Sequence, residues 1–140
     1  MKSKFAPLVK LKHSKMQEIE RELFVANQRL QKAKEEYNRS KEELNRLHNP
    51  TSGNMKEFLA TRSLIDSQLK LIEKNKNWIR YEEKQINAIK ETLKTAMIEY
   101  EKFKYLQAKE IEKIKKAKKI AEAKRLDEVA IMTFKQKEEK

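Results

Sequence analysis

Few side chains in this sequence have the types and spacing that catalysis or metal binding requires. The chain has two histidines, His13 and His48, and no cysteine. A zinc site or a catalytic triad needs further groups beside them, and His48 is better explained as a helix-end residue next to the last carbonyls. The adjacent carboxylates Glu82 and Glu83 point to different faces of a helix. With one glycine, the chain has no glycine-rich phosphate loop. We therefore predict a protein that is not an enzyme and has no metal and no cofactor.

The composition excludes folds that build a site from loops. The 140 residues are 40% charged and 38% hydrophobic, with one glycine and two prolines, and the mean hydropathy is −0.97. Strands at ordinary spacing need frequent turn residues, and so polar a chain buries too little apolar surface for a thick core. Disorder or long helices remain, and the high content of Ala, Glu, Lys, Leu and Arg favours coiled-coil helices.

One short segment interrupts the helical pattern. Pro50 and Gly53 lie in the stretch HNPTSGN, the only cluster of turn-forming residues in the sequence. The residue before a proline avoids helical geometry, and Asn54 with Glu57 resembles a capping box at the start of a helix. We predict helix 1 at about 5–48, a turn at 49–54 and helix 2 at about 55–137, within a single elongated coiled-coil domain of residues 1–140.

Apolar residues recur every seven positions along both helices, which is typical of a coiled coil. Helix 1 carries two series, of which 11 of 13 positions are apolar: Val9, Met16, Leu23, Leu30, Tyr37 and Leu44, and Phe5, Lys12, Ile19, Ala26, Ala33, Ser40 and Leu47. Helix 2 carries the series Phe58, Ile65, Ile72, Ile79, Ile86, Leu93 and Tyr100. Because a short turn forces antiparallel neighbours, we predict an all-α fold in which two long helices form an antiparallel coiled-coil hairpin, the second helix being longer.

These series also predict a register between the two helices. Six apolar layers match when the numbers of facing residues add up to 102, as in Leu30 with Ile72. The alternate layers then place small residues opposite charged ones, as in Ala26 with Lys76. We expect the lysine stems to lie across the seam with their heads in water. In this register residues 99–140 have no partner within the chain.

The unpartnered end of helix 2 carries both apolar and basic residues. Ile111, Ile114, Leu126 and Val129 continue the apolar pattern, which a partner, a second copy or a groove would cover; without one the segment would fray. Residues 102–125 contain ten Lys or Arg and three Glu. The densest part of this basic run is Lys115, Lys116, Lys118 and Lys119.

The basic run has several interpretations. The simplest is a solvated helix face. An acidic protein channel or an anionic lipid surface would also fit a net charge of +12. Between Lys109 and Arg125 no aromatic residue is interleaved, so the run supports only nonspecific phosphate binding. We do not expect nucleic acid to be the partner.

Trp78 is a candidate interface anchor. If the neighbouring Ile79 faces helix 1, Trp78 points about 100° away around the helix and is partly exposed. An exposed tryptophan is a common anchor of protein interfaces. The alternative is that Trp78 lies along the edge of the hairpin.

Two stretches, together with the two long helices, resemble a known family. FAPLVKL at residues 5–11 and AKRLDEVA at residues 123–130 are similar to the corresponding parts of the FliJ/YscO family. These are small coiled-coil proteins of flagellar biogenesis and type III protein export, some of which act as stalk or chaperone-escort proteins. The resemblance covers the whole length of the chain.

The resemblance implies a function and a set of partners. Family members are similar in shape to the central stalk of rotary ATPases, insert their paired termini into the ring of the export ATPase, and contact the cytoplasmic domain of the export-gate membrane protein near the hairpin tip. Some bind export chaperones. The corresponding gate-binding residues here are Leu30, Tyr37, Ile65, Leu69 and Ile72. Since most of them belong to the predicted seam, either the seam is partly open there or the contact uses the flanks of the helices.

We therefore expect a stalk-like coupler between the export ATPase and the export gate that serves flagellar assembly and motility or chemotaxis. No apolar run approaches the roughly 18 residues of a membrane span, and Lys10 and Lys12 interrupt any signal-peptide core. We expect a cytoplasmic protein that associates peripherally with the inner membrane at the export apparatus. The alternative is a nonspecific nucleic-acid-binding or purely structural coiled-coil protein.

Overall fold

A computed structural model describes residues 3–48 and 53–138 of the chain. Two helices make up almost all of this part, α1 from Ala6–Arg46 and α2 from Met55–Glu138. No strand occurs among these residues, so the prediction of an all-α fold with a longer second helix is confirmed. No helix within the same residues is long and apolar enough to cross a membrane.

The chain divides into two compact units. Unit 1 comprises residues 1–16 and 96–140, and unit 2 comprises residues 17–95. Each unit contains a part of α1 and a part of α2. The packing of the two helices is therefore described for each unit separately.

The start of α2 is fixed by the predicted cap. The Oδ1 atom of Asn54 accepts a hydrogen bond of 2.9 Å from the backbone N–H of Glu57, which satisfies one of the free donors of the first turn. Gly53 has a φ of 150°, and a side chain there would collide with the Glu57 carboxylate. The rest of the predicted turn, residues 49–52, lies outside the described residues.

In unit 2 the fully buried side chains of α1 are mostly small. Its buried residues are Ile19, Ala26, Ala33 and Ser40, which are all members of one predicted heptad series. The prediction for this face of α1 is therefore confirmed. Where α1 presents an alanine or a serine, the backbone of a neighbouring helix can approach closely, because no larger side chain separates them.

The seam of α2 in unit 2 is more polar than predicted. Its buried residues are Asn75, Glu82 and Ile86. Ile86 belongs to the predicted series, but Asn75 precedes the expected Lys76 by one position, and Glu82 lies seven residues after Asn75. Asn75 is buried at this level of the seam, and Lys76 is exposed.

Polar side chains of α2 reach the backbone and side chains of α1. The Nδ2 atom of Asn75 donates hydrogen bonds of 3.3 Å to the Ser40 hydroxyl and to the Glu36 carbonyl oxygen. The Nε2 atom of Gln68 donates to the Ser40 carbonyl oxygen at 2.8 Å. These contacts replace the hydration that the amides lose on burial, so that they are retained in the seam.

These contacts correct the predicted register. The residue numbers of the hydrogen-bonded pairs in unit 2 add up to between 108 and 115, and the α1 numbers rise as the α2 numbers fall. The pairing of Leu30 with Ile72 is therefore wrong, and by these sums Ile79 is the member of the predicted α2 series that comes nearest to the position opposite Leu30. The physical reason is that heptad series repeat every seven residues, so a sum of 109 matches the apolar layers as well as a sum of 102 does. Only the polar contacts distinguish the two registers.

In unit 1 the N-terminal residues cover part of α2. The ring centroids of Phe5 and Phe103 lie 6.4 Å apart, and those of His13 and Tyr100 lie 5.2 Å apart. The prediction that residues 99–140 have no partner within the chain is therefore wrong for their first part. Its cause is the same register error, which placed the N-terminal residues nearer the start of α2.

The last contact of the N-terminal segment is with Glu110. The Ser3 hydroxyl donates a hydrogen bond of 2.6 Å to Oε2 of Glu110, and the backbone N–H of Lys4 donates to Oε1 at 3.4 Å. The hydrogen bond from Ser3, together with the Lys4 N–H and the Lys4 charge, lowers the pKa of Glu110 below its ordinary value of 4.5. A carboxylate whose folded pKa is depressed stabilises the fold above its unfolded pKa and loses that effect as the pH falls through the folded pKa.

The first prediction concerns this N-terminal contact. We expect the Ser3–Glu110 contact to be intact at neutral pH and to be lost as the pH falls through the folded pKa of Glu110, which lies below its ordinary value of 4.5. Substituting Glu110→Gln should weaken the contact and remove its pH dependence, because the neutral amide oxygen accepts a weaker hydrogen bond than a carboxylate does. Hydrogen exchange of the Lys4 and Phe5 amides measures the contact. The Glu112→Gln variant, which changes a carboxylate that contacts Lys116 instead, is the control and should leave these amides protected.

The second prediction concerns the register in unit 2. A pair of cysteines at Leu30 and Ile79 should form a disulfide within one chain, and a pair at Leu30 and Ile72 should not. In the observed register Ile72 lies about nine residues, or roughly 13 Å, along the axis from the point opposite Leu30, which exceeds the reach of a disulfide. Mass spectrometry after oxidation measures both yields. Equal yields from the two pairs would contradict the observed register.

Candidate functional site

The C-terminal part of α2 is an exposed segment, here called the tail and defined as residues 115–137. Every residue of the tail is exposed. Leu126 and Val129 are 68% and 53% exposed. The other two predicted apolar residues, Ile111 and Ile114, are half-buried and precede the tail. Of the four predicted apolar residues, two are therefore half-buried and two are exposed.

The tail also carries the predicted basic cluster. Lys115, Lys116, Lys118 and Lys119 are all exposed. Among them, Lys116 forms an ion pair with Glu112, at 4.0 Å. At about 100° per residue, these lysines and their basic neighbours from residue 113 to 125 point to several sides of the helix. The tail can therefore present positive charge in more than one direction.

Cations lie over aromatic rings just before the tail. The Nζ atom of Lys104 lies 5.5 Å from the Tyr100 ring centroid, and that of Lys109 lies 5.8 Å from the Tyr105 ring centroid. At these distances a cation is attracted to the face of the ring. The contacts fix lysine stems along α2 and add ordered positive charge beside the N-terminal contact.

The predicted gate-binding residues lie mostly in the seam of unit 2. Leu30, Tyr37, Ile65 and Ile72 are half-buried, and Leu69 is 49% exposed. The structure buries each of these four side chains in part, and the register places Leu30 well away along the axis from Ile65 and Ile72. Leu69 is therefore the only exposed residue among these five.

Sequence reasoning missed a second row of apolar residues on α2 in unit 2. It consists of Leu64, Leu71 and Trp78, which recur every seven positions and precede the seam residues by one. Leu64 and Leu71 are 58% and 40% exposed, and Trp78 is half-buried, in keeping with the partial exposure predicted for it. We call this row the outer stripe. Its spacing was visible in the sequence, and only the placement of the seam identifies it as an outward face.

The beginning of α2 exposes further apolar side chains. Met55, Phe58 and Leu59 are all exposed. The register explains their exposure, because Arg46, the last helical residue of α1, lies opposite about residue 65. The first turns of α2 therefore have no α1 residue beside them within unit 2.

The described residues contain no group of three or more His, Cys, Asp or Glu that could hold a metal ion. His13 stacks against Tyr100, and His48 follows the end of α1. Of the adjacent carboxylates Glu82 and Glu83, Glu82 is paired with Arg29.

Comparison with known proteins identifies the family. No match to the chain is found among the curated proteins or among the solved structures. The family model described as "Flagellar FliJ protein" matches residues 1–139, nearly the whole chain. This family is associated with flagellar type III protein export. The chain, with its two helices and the FliJ-like stretches at both ends, belongs to the FliJ family.

Proposed function

We propose that this protein is a stalk-like coupler of flagellar protein export that connects the export ATPase ring to the export gate. The observation that carries the proposal is the tail, a helical extension that is basic, apolar and exposed along its whole length. A segment of this kind gains stability from a partner, because a helix without tertiary contacts is marginal in water. The alternative is a nonspecific nucleic-acid-binding or purely structural protein.

The proposal includes an antiparallel coiled-coil hairpin as the working part of the coupler. Its support is the order of the interhelical contacts in unit 2, together with the heptad series of both helices. The tail of α2 and the exposed face of unit 2 are then available to two different partners.

We propose that the tail binds the export ATPase. The basic residues Lys115, Lys116, Lys118 and Lys119 provide attraction to an acidic lumen, and Leu126 and Val129 provide apolar area to bury. Ile111 and Ile114 lie at the base of this surface and are half-covered by the chain itself. Burial of one aliphatic side chain contributes about 1.5–3 kcal/mol, so the exposed pair is a substantial part of such an interface.

We propose that the outer stripe and Leu69 bind the export gate. The predicted residues Leu30, Tyr37, Ile65 and Ile72 are half-buried, whereas Leu64, Leu69 and Leu71 are exposed. The sequence is compatible with two arrangements, a partly open seam or a gate contact through the flanks of the helices. Contact through the flanks therefore fits better. Trp78 at the end of the stripe is the candidate anchor, and export chaperones are further candidates for the same surface.

The proposed place of action is the cytoplasmic side of the inner membrane, at the export apparatus. Both proposed partners present their binding surfaces there. Peripheral association through these partners requires no membrane-spanning segment of the chain.

The third prediction tests the tail. Removing residues 115–140 should leave a protein with cooperative thermal unfolding, because the seam of unit 2 and the Ser3–Glu110 contact are retained. The same truncation should abolish stimulation of the export ATPase, measured as phosphate release. A variant with Lys115, Lys116, Lys118 and Lys119 changed to Glu should lose stimulation most strongly at low salt, while its helix content is retained.

Two outcomes would contradict the assignment. Full stimulation by the truncated protein would place the ATPase surface elsewhere. Unchanged affinity of the lysine variant for the ATPase, combined with lost salt-dependent binding to a nucleic-acid duplex of mixed sequence, would favour the nonspecific nucleic-acid alternative.

The fourth prediction tests the outer stripe. Changing Leu64 and Leu71 to Ser should weaken binding to the cytoplasmic domain of the gate protein by at least tenfold, because each leucine loses apolar burial worth about 1.5 kcal/mol or more. Calorimetric titration measures the affinity. The matched control changes Leu11 and Phe24 to Ser; these are exposed apolar residues of α1, and their loss should leave the affinity unchanged. Equal loss in both variants would contradict a specific surface on α2.

A further inference from the structure

Glu82 is the one charged side chain that is buried in the part of the chain that the structure describes. Its Oε2 atom accepts a hydrogen bond of 3.1 Å from Nε of Arg29 on α1. A buried carboxylate that loses such a partner is strongly destabilising. The position of Arg29 along α1 therefore limits where α2 can lie.

The sequence on either side of Arg29 makes this limit strict. Glu22 lies seven residues before Arg29, and Glu36 lies seven residues after it. A slip of one heptad between the helices keeps the apolar series in contact, because these series repeat every seven residues. The same slip places one of these two glutamates beside Glu82 in place of the arginine. Like charges at such a distance repel, so both neighbouring registers are disfavoured.

A second polar contact acts in the same direction. Ser40 is the only hydroxyl residue of its heptad series, and it accepts a hydrogen bond from Asn75. A slip of one heptad replaces Ser40 with Ala33 or with Leu47. Neither side chain can accept a hydrogen bond, so the buried amide of Asn75 would lose this partner.

We propose that the Arg29–Glu82 pair, supported by Ser40–Asn75, selects one register of unit 2 from alternatives that lie one heptad apart. The apolar series are compatible with all three registers. Repulsion between Glu82 and Glu22 or Glu36 disfavours the two that lie one heptad away. One heptad corresponds to a displacement of about 10 Å along the helices. This device is independent of any partner of the protein.

The decisive experiment separates register selection from simple stabilisation by an ion pair. Reversing the pair, with Arg29→Glu and Glu82→Arg, keeps opposite charges facing each other in the observed register. It also leaves glutamates at positions 22, 29 and 36, so that the new arginine finds a partner in all three registers. Selection should therefore be lost although the ion pair is retained.

Disulfide trapping in the full chain, which has no cysteine of its own, measures the register. Leu30→Cys is combined in turn with Ile72→Cys, Ile79→Cys or Ile86→Cys, which correspond to the three registers. With the natural charges the 30–79 disulfide should dominate. In the reversed variant the yields of the 30–72 and 30–86 disulfides should rise about tenfold relative to 30–79, the effect of one charge-assisted hydrogen bond.

A second variant should move the register in one direction. Exchanging the charges within α1, with Glu22→Arg and Arg29→Glu, offers Glu82 an arginine only in the register that pairs position 30 with position 72. The ratio of 30–72 to 30–79 disulfide should rise about tenfold or more. The matched control, Glu20→Arg with Arg21→Glu, makes the same exchange between exposed residues of α1 and should leave the ratio unchanged.

Two results would overturn the proposal. Dominance of the 30–79 disulfide in both charge variants would mean that other contacts set the register. Loss of helical circular dichroism in the reversed variant would also overturn it, because register selection predicts that both helices persist when the facing charges remain opposite.

Discussion

The close approach of small α1 side chains to polar α2 side chains is the interaction on which the arrangement of unit 2 depends. Ala26 and Ala33 are completely buried, and Ser40 nearly so. Because these residues have little bulk, the amides of Gln68 and Asn75 come within hydrogen-bonding distance of α1 backbone carbonyls. An apolar contact tolerates sliding, whereas an amide that misses its carbonyl leaves a buried donor unsatisfied. The polar layers therefore fix the relative position of the helices, and the leucines and isoleucines supply the burial.

Within each unit, the relative position of α1 and α2 also determines which apolar residues remain on the surface. In unit 2 it leaves Met55, Phe58 and Leu59 without α1 residues beside them. In unit 1 the contacts of Ser3 and Phe5 with Glu110 and Phe103 cover α2 nearly to the start of the tail. The surfaces offered to partners are thus a consequence of a few polar contacts in the seam.

The sequence alone predicted the elements of this fold well. The heptad series of helix 1 predicted the burial of Ile19, Ala26 and Ala33, and the capping pattern predicted the Asn54 hydrogen bond. Both predictions rest on local geometry, which a single helix determines. The resemblance to the FliJ family, which rested on short stretches near both ends, is confirmed by the family match.

The register and the second seam series of α2 could not be predicted in the same way. A heptad pattern is unchanged by a shift of seven residues, so apolar matching leaves a set of equivalent registers. Gln68, Asn75 and Glu82 resemble exposed residues until their partners on α1 are known. For the same reason the outer stripe was not recognised, since Leu64 and Leu71 become an outward face only when the adjacent seam residues are assigned.

The distribution of charge around the tail bears on the kind of partner that can bind it. A flat surface, such as a membrane or one face of a nucleic-acid duplex, contacts only one side of a helix. Lysines on the far side would then remain in water and contribute little, since exposed charges beyond about 10 Å are screened. Leu126 and Val129 differ by three positions, whereas Ile120 and Phe134, also exposed, point to other sides at about 100° per residue. A partner that encloses the helix can meet the basic and the apolar residues together, and an acidic channel in a protein ring has this geometry. The periodicity of the tail thus argues for an enclosing protein partner over a planar one, independently of the family resemblance.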